Sequence, residues 1–474
     1  MEIPFVGGAY TGKSVNQNTQ ECINLFPVVD NRGGKNQIYL YGTPGISQFS
    51  TIVTEDEDTV NRGSWVLGNK LYTIVKNTVY SVNTFGDKTS IGTISTSSGN
   101  VFFADNGAEI IIVDGTSNGY IISGGVLTAI TDSDFPIATS VTFQDGYFII
   151  TSDSGKFYIS GLYDGFTWDS LDFASAESSP DAAVLVIANA DDLWILGTGS
   201  AEVYYNSGNV DFPYTRISGA ILEIGTASAA SVINIDGIIY WLSNKGRVVR
   251  SRGYQFDTVS TIQIDYQIST YSTIDDAKAF TYELQGHIFY VLIFPAEEKT
   301  WVYDVTTDFW HEWQSYSSVD IEIPWGRHRA NSCVKFNGDY IVGDYINGLL
   351  YKLDEDVYTD NLNYIRRRRT SQVVNKERYN IIWHRLEIDF ETGVGLDGGV
   401  QGEDPQVMLE WSKDGGHTWS NEYWKSFGKI GKYSTKVVWK RLGMSRNRVL
   451  RVTISDPVKV VMLGAYAELE ECSA

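Results

Sequence analysis

Over the first three quarters of the chain, apolar residues come in short runs split by polar breaks, and the runs fall into pairs. Each pair follows a turn: an apolar strand, a short polar break, then a second apolar strand. Seven copies can be read: "GNKLYTIVKNTVYSV" (68–82), "NGAEIIIVDGTSNGYIIS" (106–123), "QDGYFIITSDSGKFYIS" (144–160), "ADDLWILGTGSAEVYYN" (190–206), "IDGIIYWLSNKGRVVRS" (235–251), "LQGHIFYVLIFPAEEKTWVYD" (284–304) and "FNGDYIVGDYINGLLYKLD" (336–354). With Lys70, Gly107, Gly146, Asp192, Gly237, Gly286 and Gly338 as equivalent positions, the steps are 37, 39, 46, 45, 49 and 52 residues. That spacing fits a unit of four short strands. One such sheet cannot bury both its faces, so copies must pack around an axis until the ring closes.

The pattern therefore predicts an all-β chain with a seven-bladed β-propeller-like domain over residues 51–360. Residues 1–50 form an N-terminal strap, and within it "QIYLYGTPGISQF" (37–49) is the candidate strand for closing the ring. A β-sandwich or solenoid of the same hairpins is the competing architecture, but a sandwich rarely repeats one hairpin at this step. After residue 360 the texture changes to longer alternating strands such as "WHRLEIDFETG", "PQVMLEWSKDGG" and "NRVLRVTISDP". They predict a separate C-terminal β-sandwich, jelly-roll-like, over 361–474.

Composition agrees with strands and tight turns. Aromatic residues make up 13% of the 474 positions, with 29 Tyr, 13 Trp and 45 Gly, and helical seven-residue periodicity is nearly absent. The three cysteines, Cys22, Cys333 and Cys472, are too few and too scattered for a disulfide framework or a zinc site. The longest apolar run, "HIFYVLIF" (287–294), is far short of a membrane helix, and no charged-then-apolar leader opens the sequence. The chain reads as soluble, without a secretion signal.

Charge changes the picture more. The net charge is −21, but residues 1–360 hold 19 Lys+Arg against 44 Asp+Glu, whereas 361–474 hold 18 against 14. The shift marks a domain boundary. An acidic body also argues against non-specific wrapping of nucleic acid, which needs clustered cations.

Candidate chemistry is sparse. "GGAYTGKS" (7–14) fits the phosphate-loop pattern, yet no strand length precedes it and "VNQNTQECINLFP" follows where a helix should run. "SKDGGHTW" (412–419) matches the Asp-box of sialidases and related propellers. There Asp414, beside Ser412, would bond backbone N–H groups across a turn, Gly416 would supply φ > 0, and Trp419 would pack on the hairpin. A sialidase also needs an arginine cluster, and the first 245 residues contain only Arg32, Arg62 and Arg216. The five histidines show no metal-ligand spacing, no G-x-S-x-G elbow occurs, and "TEDEDTV" (54–60) reads as a solvated acidic connection. One basic feature stands out: Arg366, Arg367, Arg368 and Arg369 are adjacent. In an alternating strand they would face both sides, so the run reads as an exposed linker that could meet phosphates or the acidic surface of another copy.

Three stretches together resemble the packaged-DNA stabilisation, or tail hub (tail accessory, nozzle), proteins of short-tailed bacteriophages, the podoviruses. They are "NQNTQECINLFPVVDNRGGKNQIYLYGTPGI", "IRRRRTSQVVNKERYNIIWHRLEIDFETGVG" and the ending "WSKDGGHTWSNEYWKSFGKIGKYSTKVVWKRLGMSRNRVLRVTISDPVKVVMLGAY". Asn24, Pro27, Pro44 and Gly45 match the family's start. Trp439, Lys440, Arg441, Gly443, Arg451 and Pro457 match its end. The resemblance implies a virion structural protein without catalytic, cofactor or metal residues. Its copies would form a hexameric ring below the portal and adaptor, close the head, retain packaged DNA and serve as the ejection conduit. Tail fibres or tailspikes and a needle or tip protein would attach to it. By the same resemblance, the run from Arg366 to Arg369 becomes a candidate contact with another subunit or the adaptor. The alternative is a carbohydrate-active or carbohydrate-binding propeller of the Asp-box kind.

Overall fold

The structure is a computed structural model. It describes residues 1–30, 32–34, 36–52, 59–176, 182–316, 324–377 and 379–472, and the acidic segment at 54–58 lies outside the described residues. Strands dominate, and the described residues contain one α-helix, Ile262–Ser269.

Among the described residues the repeat is laid down as seven four-stranded antiparallel units. The first runs from Asn61–Leu67 to Lys88–Thr93, and the next four begin at Phe102, Ala138, Ala183 and Ile233. The sixth spans Lys278–Leu284 to Phe309–Tyr316, and the seventh begins with Ala330–Phe336. Local chemistry sets the hairpins. The turns Asp145-Gly146, Asp236-Gly237, Gln285-Gly286 and Asn337-Gly338 place both central residues at positive φ, the geometry whose twist matches a two-residue hairpin and in which glycine carries no Cβ penalty.

Neighbouring units pack face to face through shared apolar clusters. Leu185, Trp194 and Val203 of the fourth unit, for example, meet Ile239, Trp241 and Val249 of the fifth. The last unit returns to the first: Phe336, Ile341 and Leu350 pack with Leu71, Val75 and Val82. Asn331 Nδ2 donates to the Asn61 carbonyl at 2.7 Å, and Ser332 Oγ to Asn61 Oδ1 at 2.8 Å. The domain is a β-propeller.

Its closing strand comes from the N-terminus, although not from the whole predicted segment. Gly45–Ser50 pairs antiparallel with Leu350–Asp354 as the fourth strand of the seventh unit. Ile38–Gly42 instead pairs with Leu25–Val29 and with Val461–Cys472, inside the other domain. The turn at Thr43-Pro44 divides the two. Proline offers no N–H to a ladder, and Gly45 is forced by closeness, because a Cβ there would lie 2.3 Å from the Val357 carbonyl.

The C-terminal domain is a β-sandwich. One sheet orders Val437–Ser445, Asn380–Phe390, Val461–Cys472, Ile38–Gly42 and Leu25–Val29; the other runs from Arg367–Thr370 through Asn447–Ile454 and Gln406–Ser412 to Tyr423–Ser426. Leu386, Ile388 and Phe390 from one face meet Val407, Leu409, Leu450 and Val452 from the other.

Candidate functional site at the joint between propeller and sandwich

The strap makes the joint. Leu25, Phe26 and Cys22 are buried, and Cys22–Ile23 sits between the sixth unit's outer strand and the arginine strand. Asn24 turns the chain with φ 51°, a left-handed conformation that asparagine tolerates better than most residues. Its side chain then joins the two domains. Nδ2 donates to the Gln314 carbonyl at 3.0 Å and to the Arg366 carbonyl at 2.9 Å, while Oδ1 accepts from Gln314 N at 3.0 Å.

The expectation of an exposed arginine linker is corrected here. Arg367–Thr370 is an interior strand, paired with the strap on one edge and Asn447–Ile454 on the other. Alternation does send the arginines to both sides, and both sides are covered. Arg369 is 0% exposed; it donates to the carbonyls of Phe5 (2.6 Å), Gly8 (2.7 Å) and Glu21 (3.2 Å), and to Gln20 Oε1 (2.6 Å). Burial lowers its pKa, opposed by the Cys22 and Tyr10 side chains. Arg367 is 1% exposed, and burial pushes its pKa down to about 10. It packs against Gly42, where a Cβ would come within 2.7 Å of its Nε. Neither residue is free to meet another subunit. Arg366 and Arg368 are half-buried: Arg366 stacks 4.3 Å over Trp325 and donates to Gln314 Oε1, and Arg368 Nε donates to Thr453 Oγ1 at 3.1 Å.

The phosphate-loop lookalike belongs to this joint. Ala9 N donates to the Trp310 carbonyl at 2.7 Å, the Gly8 carbonyl caps Arg369, and Tyr10–Thr11 pairs with Thr19–Gln20 as a short hairpin. No helix starts at Lys13, so no amide fan faces an anion.

The Asp-box lies in the sandwich and works as a staple. Asp414 Oδ1 accepts from His417 N at 3.0 Å and Thr418 N at 2.9 Å, and Asp414 Oδ2 accepts from Thr418 Oγ1 at 2.6 Å. Ser412 Oγ donates to Asp414 Oδ1 at 2.6 Å and accepts from Gly416 N at 2.8 Å. Gly416 has φ 105°. The hydrogen bonds from Ser412 and Thr418 hold the Asp414 carboxyl far below the usual carboxylate range. Trp419 carries the Arg451 guanidinium 3.7 Å above its ring, and Arg451 makes two 2.8 Å bonds to Glu410.

A cavity of about 420 Å³ lies on the propeller axis, lined by the first strand of every unit. Its described lining includes Trp65, Phe102, Asn331, Arg62 and Lys278, and no Asp, Glu or His. Arg62 is spent on the carbonyls of Lys76, Thr96, Ser98 and Gly99. Burial, then Arg327 and Arg62, lowers Lys278 to about 8. Glycoside hydrolysis needs a carboxylic acid and a carboxylate flanking one bond, and these walls supply neither. Among the described residues no group of three His, Cys, Asp or Glu is placed to share a metal, and no helix is long and apolar enough to cross a membrane.

Fold and joint together define a two-domain all-β chain, a β-propeller whose N-terminal strap is shared with a β-sandwich. The chain belongs to the bacteriophage P22 Gp10 family, tail proteins that stabilise packaged DNA. Residues 1–358 match the family model described as "Bacteriophage P22 Gp10, beta-propeller" and residues 366–470 the one described as "Bacteriophage P22 Gp10, beta-sandwich". No curated protein matches the chain. Solved structures similar to it include the WD40 β-propeller domain of Doa1 (12% identity, TM-score 0.41, 65% of this chain and 96% of that one). A streptogramin B lyase is also similar (10%, TM-score 0.44, 65% and 97%). At these scores the likeness says nothing about ligands or activity.

Proposed function

We propose that this chain is the tail hub, or nozzle, of a short-tailed phage. Copies form a ring, a homohexamer, below the portal and adaptor; it closes the filled head, retains the DNA and later conducts it out. Tail fibres or tailspikes and a needle or tip protein attach to the ring. The protein assembles in the host cytoplasm, resides in the virion tail and performs no catalysis. The observation that carries this reading is the succession of both family domains, 1–358 and 366–470, over nearly the whole chain.

The charge supports the conduit role. Residues 1–360 hold 25 more acidic than basic side chains, from 44 Asp+Glu and 19 Lys+Arg, and a wall that repels phosphate lets DNA slide where a basic wall would hold it. The test is electron microscopy of purified tails with this subunit labelled, alongside an assay for turnover of sialosides and host polysaccharide. Label in a ring below the portal, with no turnover, is expected. Label confined to fibre tips, a basic lumen, or glycan turnover would overturn the reading.

A further inference from the structure

Two regions of opposite charge lie on different domains, one on the sandwich and one on the propeller. Residues 421–447 contain seven Lys+Arg and one acidic residue, Glu422, in a chain of net charge −21. Lys425, Lys432, Lys436, Lys440, Arg441 and Arg446 are all exposed, and none has an ion-pair partner among the described residues; Lys429 alone is paired, to Glu403. The same stretch presents exposed Trp424, Ile430, Tyr433 and Met444. It also holds the last strand of each sandwich sheet, Val437–Ser445 and Tyr423–Ser426, tied together by Trp439 Nε1 donating to the Tyr423 carbonyl at 2.9 Å. Both sheets are thus open on one rim, and unpaired edges are sites of association unless something covers or guards them.

The acidic counterpart is in the propeller. Residues 95–236, spanning units two to four, contain 18 Asp+Glu and two Lys+Arg. The long outer strand of the third unit, Asp164–Ser175, is the end of its sheet. On or beside it stand Asp134, Asp169 and Asp172 together with Leu162, Tyr163 and Leu171, the last 80% exposed. Among the described residues the one ion pair in this region is Arg216 with Glu202. The sandwich packs against units five to seven, through Tyr240 and Leu242, Tyr290 and Trp310, and Val342 and Tyr351 against Phe26. The acidic units two to four are therefore not those the sandwich packs on, and among the described residues no ion pair joins them to the basic rim.

We propose that the basic rim of the sandwich docks on the acidic outer edge of the propeller in a second copy of this chain. The contact is heterologous, joining unlike patches, which is the arrangement that generates a ring when the rotation closes. It rests on the ring assembly proposed above and names the surfaces that build it. Exposed aromatics and Met on one side and Leu and Tyr on the other supply the apolar centre; the charges supply register and steering.

The experiment uses three full-length variants: rim-reversed K432E/K436E/K440E, edge-reversed D134K/D169K/D172K, and the six changes combined. Each single set is expected to lower copy-to-copy association, read by sedimentation and by incorporation into tails, roughly a hundredfold. Mixing the two single sets, or combining them in one chain, is expected to restore it, which also proves that both fold. Wild-type association is expected to weaken as salt shortens the screening length from about 10 Å at 0.1 M to about 3 Å at 1 M. Rim-reversed chains that assemble like wild type would overturn the proposal and make the lysines guards against aggregation. So would salt-independent assembly, or failure of the combined set despite a normal thermal melt. Loss of duplex-DNA retardation with assembly intact would make nucleic acid the partner instead. If wild type itself enters no ring in solution or in tails, the hub reading fails and the contact falls with it.

Discussion

Replacing Arg369 with alanine should detach the N-terminal strap while leaving the propeller folded. The guanidinium is fully buried and donates to four oxygens, three strap carbonyls and the Gln20 side chain. Bonds from a charged donor contribute about 1.5–3 kcal/mol each, so the gross loss is large. Against it stands relief from burying a cation, several kcal/mol in its own right. Removing one side of a buried charged network usually nets about 3–5 kcal/mol. The strap carbonyls can rehydrate once the segment lifts, which places R369A near the lower end, about 3 kcal/mol. The loss should be local, because Leu25 onward is held by its own ladder and apolar contacts.

Hydrogen exchange reads this directly. Amides such as Ala9 N, bonded to the Trp310 carbonyl, and Thr370 N, bonded to the Glu21 carbonyl, exchange when the strap opens. At about 1.4 kcal/mol per factor of ten, a 3 kcal/mol loss speeds them roughly a hundredfold. Peptides from the third unit should exchange at the wild-type rate. R369K, which keeps the charge but not the fork of donors, should fall between. Acceleration of less than about fivefold at the strap, or equal acceleration everywhere, would refute the reasoning, since about 1 kcal/mol is far short of the loss worked out above and close to the roughly 0.5 kcal/mol of an ordinary surface change.

Three further outcomes follow from the same structure. G45A puts a Cβ 2.3 Å from the Val357 carbonyl and 2.4 Å from that of Thr359, and should cost about 1–3 kcal/mol in urea unfolding by overpacking the ring closure. His311 and His328 are buried and lowered to about 3 by desolvation. The unfolded chain, titrating near 6.5, takes up protons that the folded one refuses, so stability is full above pH 6.5 and falls as the pH drops toward 3. At pH 5 each histidine should cost about 2 kcal/mol, and H311F should remove its share of the slope in urea midpoints measured from pH 7.5 to 5. D414N should speed amide exchange at His417 and Thr418. Because the native Asp414 carboxyl is depressed, wild type should approach the variant only as pH falls well below the ordinary carboxylate range.

Much of the fold was legible because a period of 37–52 residues with glycine at most of the hairpins leaves few architectures. The closing strand was legible in part: the segment 37–49 was recognisable, but the switch of domains at Thr43-Pro44 was not, since alternation looks the same in either sheet. The arginine run misled for a physical reason. Four cations in a row imply a solvated loop unless something supplies acceptors, and the acceptors of Arg369 are carbonyls some 350 residues away in sequence, at separations of 364, 361 and 348. Backbone oxygens leave no compositional trace. Asn24 is the opposite case, a motif position whose role becomes plain once its φ of 51° and three cross-domain bonds are seen.

The strap also constrains how the two domains can behave. One segment supplies the strand that closes the propeller, two strands of the sandwich and the acceptors of the buried arginine, so neither domain completes its sheet without residues 1–50. Loosening the Leu25–Ser50 part should therefore be felt in both domains, and a sandwich expressed from residue 361 onward would present an uncovered Arg367–Thr370 edge and lack Leu25–Gly42. A force applied to the sandwich would reach the propeller by ladder hydrogen bonds and by the side chain of Asn24, so the joint resists being opened one contact at a time.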